Sequence, residues 1–172
     1  AGIALDDFQM IVTGLPPFLP PLYCDTNGNV TGAGGSSPVG TWGGDDFWTT
    51  SAGGTGATGP WVDASDAIFS AGNDATSPYT INVIGSPAVD SLVFEDGVVT
   101  LAGGTVVFND KTPLVEVNAA EATIASVLDG SSGLLKKGTG RLNLSGSNTF
   151  TGQIQVLAGS LRIEADANLG AS

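Results

Sequence analysis

The sequence predicts an all-β fold built from many short strands, and three observations carry that prediction. Glycine is abundant, at 26 of 172 residues, and glycine and β-branched residues are weak helix formers. Apolar and polar residues alternate with a period of two: Leu142 and Leu144 flank Asn143, Ile154 and Val156 flank Gln155, and Leu161 and Ile163 flank Arg162. That period gives a strand one buried and one exposed face. The alternating runs are also punctuated by short turn-forming separators rich in Gly, Asn, Asp and Ser, among them EDG, AGG, DGSSG, KGTG and SGSN.

Strands are expected over 67–69, 79–84, 91–94, 98–101, 105–108, 114–117, 122–128, 134–136, 141–144, 153–157 and 160–164. They recur roughly every seven to ten residues, so three of them make up a solenoid coil of ordinary length. Runs such as Leu101-Ala-Gly-Gly-Thr-Val-Val-Phe108 put a glycine corner directly between strands. A hairpin uses the same corner, so spacing alone leaves sandwich and solenoid both open.

Residues 1–39 read differently. A short strand is expected at 8–13, followed by an apolar run holding Pro16, Pro17, Pro20 and Pro21. Proline fixes an extended backbone and removes a ladder donor, so this segment reads as an extended arm, with a Gly-rich loop from 25 to 39. The arm's apolar residues (Phe8, Met10, Ile11, Val12, Leu15, Phe18, Leu19, Leu22 and Tyr23) need cover, either from their own domain or from a neighbouring subunit. The solenoid domain is expected over 40–172. It opens on the aromatics Trp42, Phe47, Trp48 and Trp61, which fit a core filling or end cap, with an exposed ligand platform as the alternative.

The stretch Gly133-Leu-Leu-Lys-Lys-Gly-Thr-Gly-Arg-Leu-Asn-Leu-Ser-Gly-Ser-Asn-Thr-Phe-Thr-Gly-Gln-Ile-Gln-Val-Leu-Ala-Gly-Ser-Leu-Arg-Ile163 separates the two architectures. It resembles the autotransporter-associated β-strand repeat, G-L-x-K-x-G-x-G-x-L-x-L-S-G-x-N-T-[YF]-T-G-x-T-x-V-x-x-G-x-L-x-V. It departs from that pattern at Ile154, where the repeat has Thr. The best match spans 133–170, and a looser likeness extends over about 40–172. The resemblance implies a right-handed parallel β-helix, a β-solenoid of exported bacterial surface proteins, in a secreted or cell-surface setting. Leu142, Leu144, Ile154, Val156, Leu161 and Ile163 are then interior ladders. Asn148 and Thr149 sit at a turn that needs side-chain hydrogen bonds, where an Asn ladder can link coils.

The composition narrows the chemistry. The net charge is −12, and the first 110 residues hold 12 acids and no Lys or Arg, which argues against nucleic acid and anionic membrane as direct partners. The five bases (Lys111, Lys136, Lys137, Arg141 and Arg162) all follow, so the ends differ in charge in a way that favours head-to-tail contact. With no histidine, Ser-His-Asp and Cys-His catalysis and His metal sites are excluded. Cys24 is the sole cysteine, so no internal disulfide forms. No apolar run approaches the ~20 residues a spanning helix needs.

The acids Asp45, Asp46, Asp63, Asp66, Glu95 and Asp96 are the candidates for a polysaccharide-cleaving set. Most lie in Gly-rich turns, where solvated carboxylates are the ordinary outcome, so no catalytic residue and no cofactor are expected. Asp25, Asn27 and Asn29 begin like a calcium loop that fails at Val30 and Ser36, which leaves a weak calcium candidate. Asn29-Val-Thr31 and Asn143-Leu-Ser145 match the glycosylation sequon only formally.

The functional expectation is an extracellular, non-enzymatic fibre subunit that stacks head-to-tail with other copies of itself, helped by the arm. The repeat pattern is still running at Leu169-Gly170-Ala171-Ser172, and open solenoid ends invite pairing. The alternatives are a passenger fragment acting as an adhesin scaffold, with surface glycans or other cells as partners, and a carbohydrate-binding or carbohydrate-cleaving β-helix.

Overall fold

The computed structural model describes residues 19–109 and 113–171. The strand expected at 8–13 and most of the arm lie outside that range. The described residues form an all-β solenoid whose successive coils stack in parallel.

Each coil carries three segments. The first stack of strands contains β4 (Ser65–Phe69), β6 (Ala88–Phe94), β9 (Leu114–Val117), β12 (Leu134–Lys137) and β14 (Ile154–Val156), each parallel to the next. The second contains β2 (Gly40–Trp42), β5 (Pro78–Val83), β7 (Val98–Ala102), β10 (Glu121–Ile124), β13 (Arg141–Leu144) and β15 (Ser160–Ile163). The third begins with β8 (Thr105–Phe108) and β11 (Val127–Asp129) and continues through Thr149, whose N–H donates to Leu128 O at 2.9 Å.

This register turns the period-two pattern into interior ladders. Tyr79, Val99, Ala122, Leu142 and Leu161 lie one above another, as do Ile81, Leu101, Ile124, Leu144 and Ile163. Phe69, Phe94 and Val117 form a third ladder, in which the two rings stack at 5.2 Å and 13°. Partners recur about every twenty residues, the length of one coil.

The segment expected as one strand over 122–128 is two. Ala125 and Ser126 make the corner between β10 and β11, and both of their N–H groups donate to Leu101 O in the coil below. Small residues suit that position because the backbone of the next coil lies against it. Gly140 shows how tight such a contact is: a Cβ there would sit 1.9 Å from Ala119 O. Gly140→Ala is therefore expected to destabilise the fold by about 1–3 kcal/mol through overpacking. Urea denaturation checks this, and an unchanged midpoint would contradict the corner contact.

The sheet begins earlier than residue 40. β1 (Leu22–Cys24) pairs in parallel with β4 and antiparallel with β3 (Trp48–Thr49). Leu22 and Cys24 face the core. The N-terminal end is thus closed by an antiparallel strand and by a packed aromatic group. Trp42, Trp48 and Trp61 meet edge-to-face with centroids 4.7–5.0 Å apart. The opposite end is open within the described residues: Val156, Leu157, Ile163 and Leu169 are 38–63% exposed, whereas Leu142 and Leu144 one coil below are buried.

Candidate functional site

Two regions carry the distinctive chemistry: the repeat-bearing coils near the C-terminal end and an acidic, aromatic cavity near the N-terminal end.

In the repeat coils the turn polarity is satisfied from inside. Asn148 is buried, accepts the Leu128 N–H at 2.8 Å and donates to Asn168 O at 2.7 Å. Asn168, in a short 3-10 turn at Asp166–Leu169, makes a second link of different geometry. Its Oδ1 accepts from Glu164 N and Ala165 N, and its Nδ2 donates to Gly146 O. Each amide therefore ties one coil to its neighbour.

Lys136 points inward, which its charge alone would not suggest. It is fully buried in the ladder Ala67, Leu92, Val115, Lys136, Val156. Its Nζ donates to the carbonyls of Lys137, Gly138 and Ala158, two of which belong to its own corner and one to the coil above. Burial lowers its pKa, and Glu116 opposes that shift. Lys136→Ala is expected to cost about 2 kcal/mol by leaving these carbonyls unpaired. Lys137→Ala, at an exposed position, should cost almost nothing. Equal losses in chemical denaturation would contradict the inward placement.

On the outer face Glu121 pairs with Arg141 and accepts from Asn143 Nδ2 at 2.6 Å. The Arg141 hydrogen bond, followed by that of Asn143, holds the Glu121 carboxyl below its usual value. Asn143 is 7% exposed with its amide nitrogen so engaged, so its sequon is not presented by the folded chain.

The ladder residues occupy inward positions; in the last described coil Ile154 and Leu161 are half-buried against the core, while Val156 and Ile163 are exposed. Of the arm residues, Phe8, Met10, Ile11, Val12, Leu15 and Phe18 lie outside the described residues. Leu19 and Tyr23 are half-buried. Leu22 packs into the chain's own core at 7% exposure, which removes it from any docking surface.

The N-terminal region gathers acids that are distant in sequence. Asp45, Asp46 and Asp63 line a cavity of about 350 Å³ together with Trp61, Ile84 and Pro87. Coil stacking brings these segments together, and neighbouring acids in the sequence gave little sign of it. Asp66 lies elsewhere, accepting the Ser91 hydroxyl at 2.5 Å, and Glu95 faces Asn118.

Asp25 is buried. Its Oδ1 accepts from Asn27 N and Gly28 N, while Oδ2 and the Asn27 side-chain oxygen have no partner among the described residues. Asn29 is exposed. Among the described residues no group of three or more His, Cys, Asp or Glu is placed to hold a metal ion. Burial and the adjacent Asp25 charge push the Cys24 thiol up, so it stays protonated and unreactive.

Burial also raises the Asp25 carboxyl, against the two N–H donors that lower it, and Asp74 adds to the rise. Its contribution to stability is therefore full below the unfolded value near pH 3.8 and lost as pH rises through the folded value. In Asp25→Asn the amide oxygen still accepts both N–H groups and carries no charge. The variant should melt above the parent chain at pH 7, with the gap closing at pH 3.8. Equal melting by circular dichroism at pH 7 would contradict this.

Residues 134–163, strands β12 to β15, match the passenger-associated-transport-repeat family. Those residues carry the autotransporter passenger-associated repeat. The chain is also similar to the adhesin BmaC autotransporter of Brucella suis biovar 1 (strain 1330), at 38% identity over 152 residues. That alignment covers 87% of this chain and 4% of the relative, so the chain spans a small part of the relative's length. No solved structure matches. The passenger repeat and the autotransporter relative together indicate an exported polypeptide, secreted or held at the cell surface.

Proposed function

We propose that the chain is a non-catalytic adhesive scaffold segment of an exported passenger. The observation that carries this reading is the coincidence of the family repeat with β12–β15, in a chain 38% identical to an adhesin autotransporter. Parallel coils tied by Asn148, Asn168 and Lys136 make a rigid rod that can hold surface loops away from a cell. Beads coated with the purified chain should adhere to cultured epithelial cells well above albumin-coated beads. Adhesion no greater than albumin would overturn the reading.

One observation favours the fibre subunit as a second reading. The first 110 residues hold 12 acids and no Lys or Arg while all five bases follow, so a head-to-tail contact between copies brings unlike charges together. Negative-stain electron microscopy of the chain beside a version lacking residues 1–23 tests it. Filaments that vanish on truncation support an arm-docked polymer, and monomers in both samples refute it.

A further inference from the structure

We infer that the cavity at Trp61 is a binding site for a neutral oligosaccharide, an inference that rests on the adhesive reading and names its ligand class. The cavity, about 350 Å³, is of ligand size. One wall is the half-buried Trp61 ring, held in place by Trp42 and Trp48 and by hydrogen bonds from its Nε1 to Asp63 Oδ1 and Ala88 O, both at 3.1 Å. A rigid aromatic face suits the C–H face of a sugar ring.

The carboxylates around it are pre-positioned with acceptor oxygens left over. Asp45 Oδ2 accepts the Thr41 N–H at 2.7 Å, which leaves Oδ1. Asp63 Oδ1 accepts the Ala88 N–H at 3.0 Å as well as Trp61, which leaves Oδ2. Asp46 is exposed and held by no hydrogen bond among the described residues. Carboxylates only accept, so the matching ligand is rich in hydroxyl donors.

A second cavity of about 190 Å³ shares Asp45 and Asp46 as a common wall and is lined on its far side by Asp25, Thr26 and Thr58. Asp25 is fully buried, yet its Oδ2 has no partner among the described residues. That oxygen is closed off from solvent, so on this side a ligand hydroxyl meets the Asp45 and Asp46 carboxylates. Two adjoining cavities suit more than one sugar unit.

Charge restricts the class further. The first 110 residues carry no Lys or Arg, so sialylated and sulfated glycans meet only like charge. A cation is the less suitable occupant, because no group of three ligating side chains is suitably placed among the described residues.

The test is the purified chain on a printed array of neutral, sialylated and sulfated oligosaccharides, followed by titration calorimetry with the neutral glycan best retained. Neutral glycans should be retained and anionic ones not. Asp46→Asn, which disturbs no fold contact, should weaken binding at least tenfold, and Trp61→Ala should abolish it. EDTA should leave binding unchanged. A blank array, preference for anionic glycans, unaltered binding by Asp46→Asn, or loss of binding with EDTA would each overturn the inference. Coated beads that adhere to cells while the array stays blank sink this site and leave the adhesive scaffold. Glycan binding without bead adhesion does the reverse.

Discussion

Phe94→Ala is expected to lower the stability of the solenoid by about 3–5 kcal/mol, a larger effect than Lys136→Ala or Asn148→Ala. Phe94 is fully buried, and its ring stacks on Phe69 below while Val117 covers it from above. Truncation removes apolar contact with both neighbouring coils and the ring–ring interaction, itself worth about 0.5–1.5 kcal/mol. The coils on either side cannot close the gap, since their spacing is fixed by the strand ladder. Val93 lies next to Phe94 on the opposite face of β6, and Val93→Ala should cost less than about 1 kcal/mol. Urea denaturation of the two variants checks the contrast. Equal losses would contradict the register that places Phe94 inside.

Asn148→Ala is the second. It strands the buried Leu128 N–H and the Asn168 carbonyl together, and Asn168 is itself a link to Gly146. Two unpaired buried groups amount to about 3 kcal/mol. Loss of the amide should also loosen the last coil before the rest. Hydrogen exchange is then expected to rise first at Glu164 and Ala165, whose N–H groups depend on Asn168. A variant as stable as the parent, with unchanged exchange there, would show that the amide bridge does not hold the coils.

Much of this fold was legible in the sequence, for physical reasons that differ from element to element. The strands from β4 onward follow the period-two alternation, and their corners follow the glycines, because a stacked coil leaves no room for a side chain where Gly140 meets Ala119. Asn148 was legible as a turn residue needing hydrogen bonds. Lys136 was not placed inside, although the signal was present: Leu134 faces inward, and a period of two puts Lys136 on the same side. Its charge masked the pattern, and only the three carbonyls around Nζ explain why burial is tolerated.

The capping strands were harder to read. β1 follows directly on prolines, and β1, β2 and β3 are only two or three residues long, too short for periodicity to show. The cavity at Trp61 was the least legible feature. Asp45, Asp46 and Asp63 stand in turns that look merely solvated, and Trp61 looks like ordinary core. Their convergence with Ile84 and Pro87 depends on how β2 stacks on β5, a contact between segments about forty residues apart.

The scaffold reading depends first on coils stacked in parallel and in register, and one distance measures this directly. Thr80 and Arg162 are both exposed and sit at the ends of the row Thr80, Thr100, Thr123, Asn143, Arg162. Spin labels on cysteines at these two positions report their separation by pulsed electron resonance, while the buried, protonated Cys24 takes no label. Four coil steps predict a narrow distribution near about 19 Å. A distribution centred beyond about 35 Å would contradict in-register parallel stacking at about 4.8 Å per coil, and the adhesive scaffold with it.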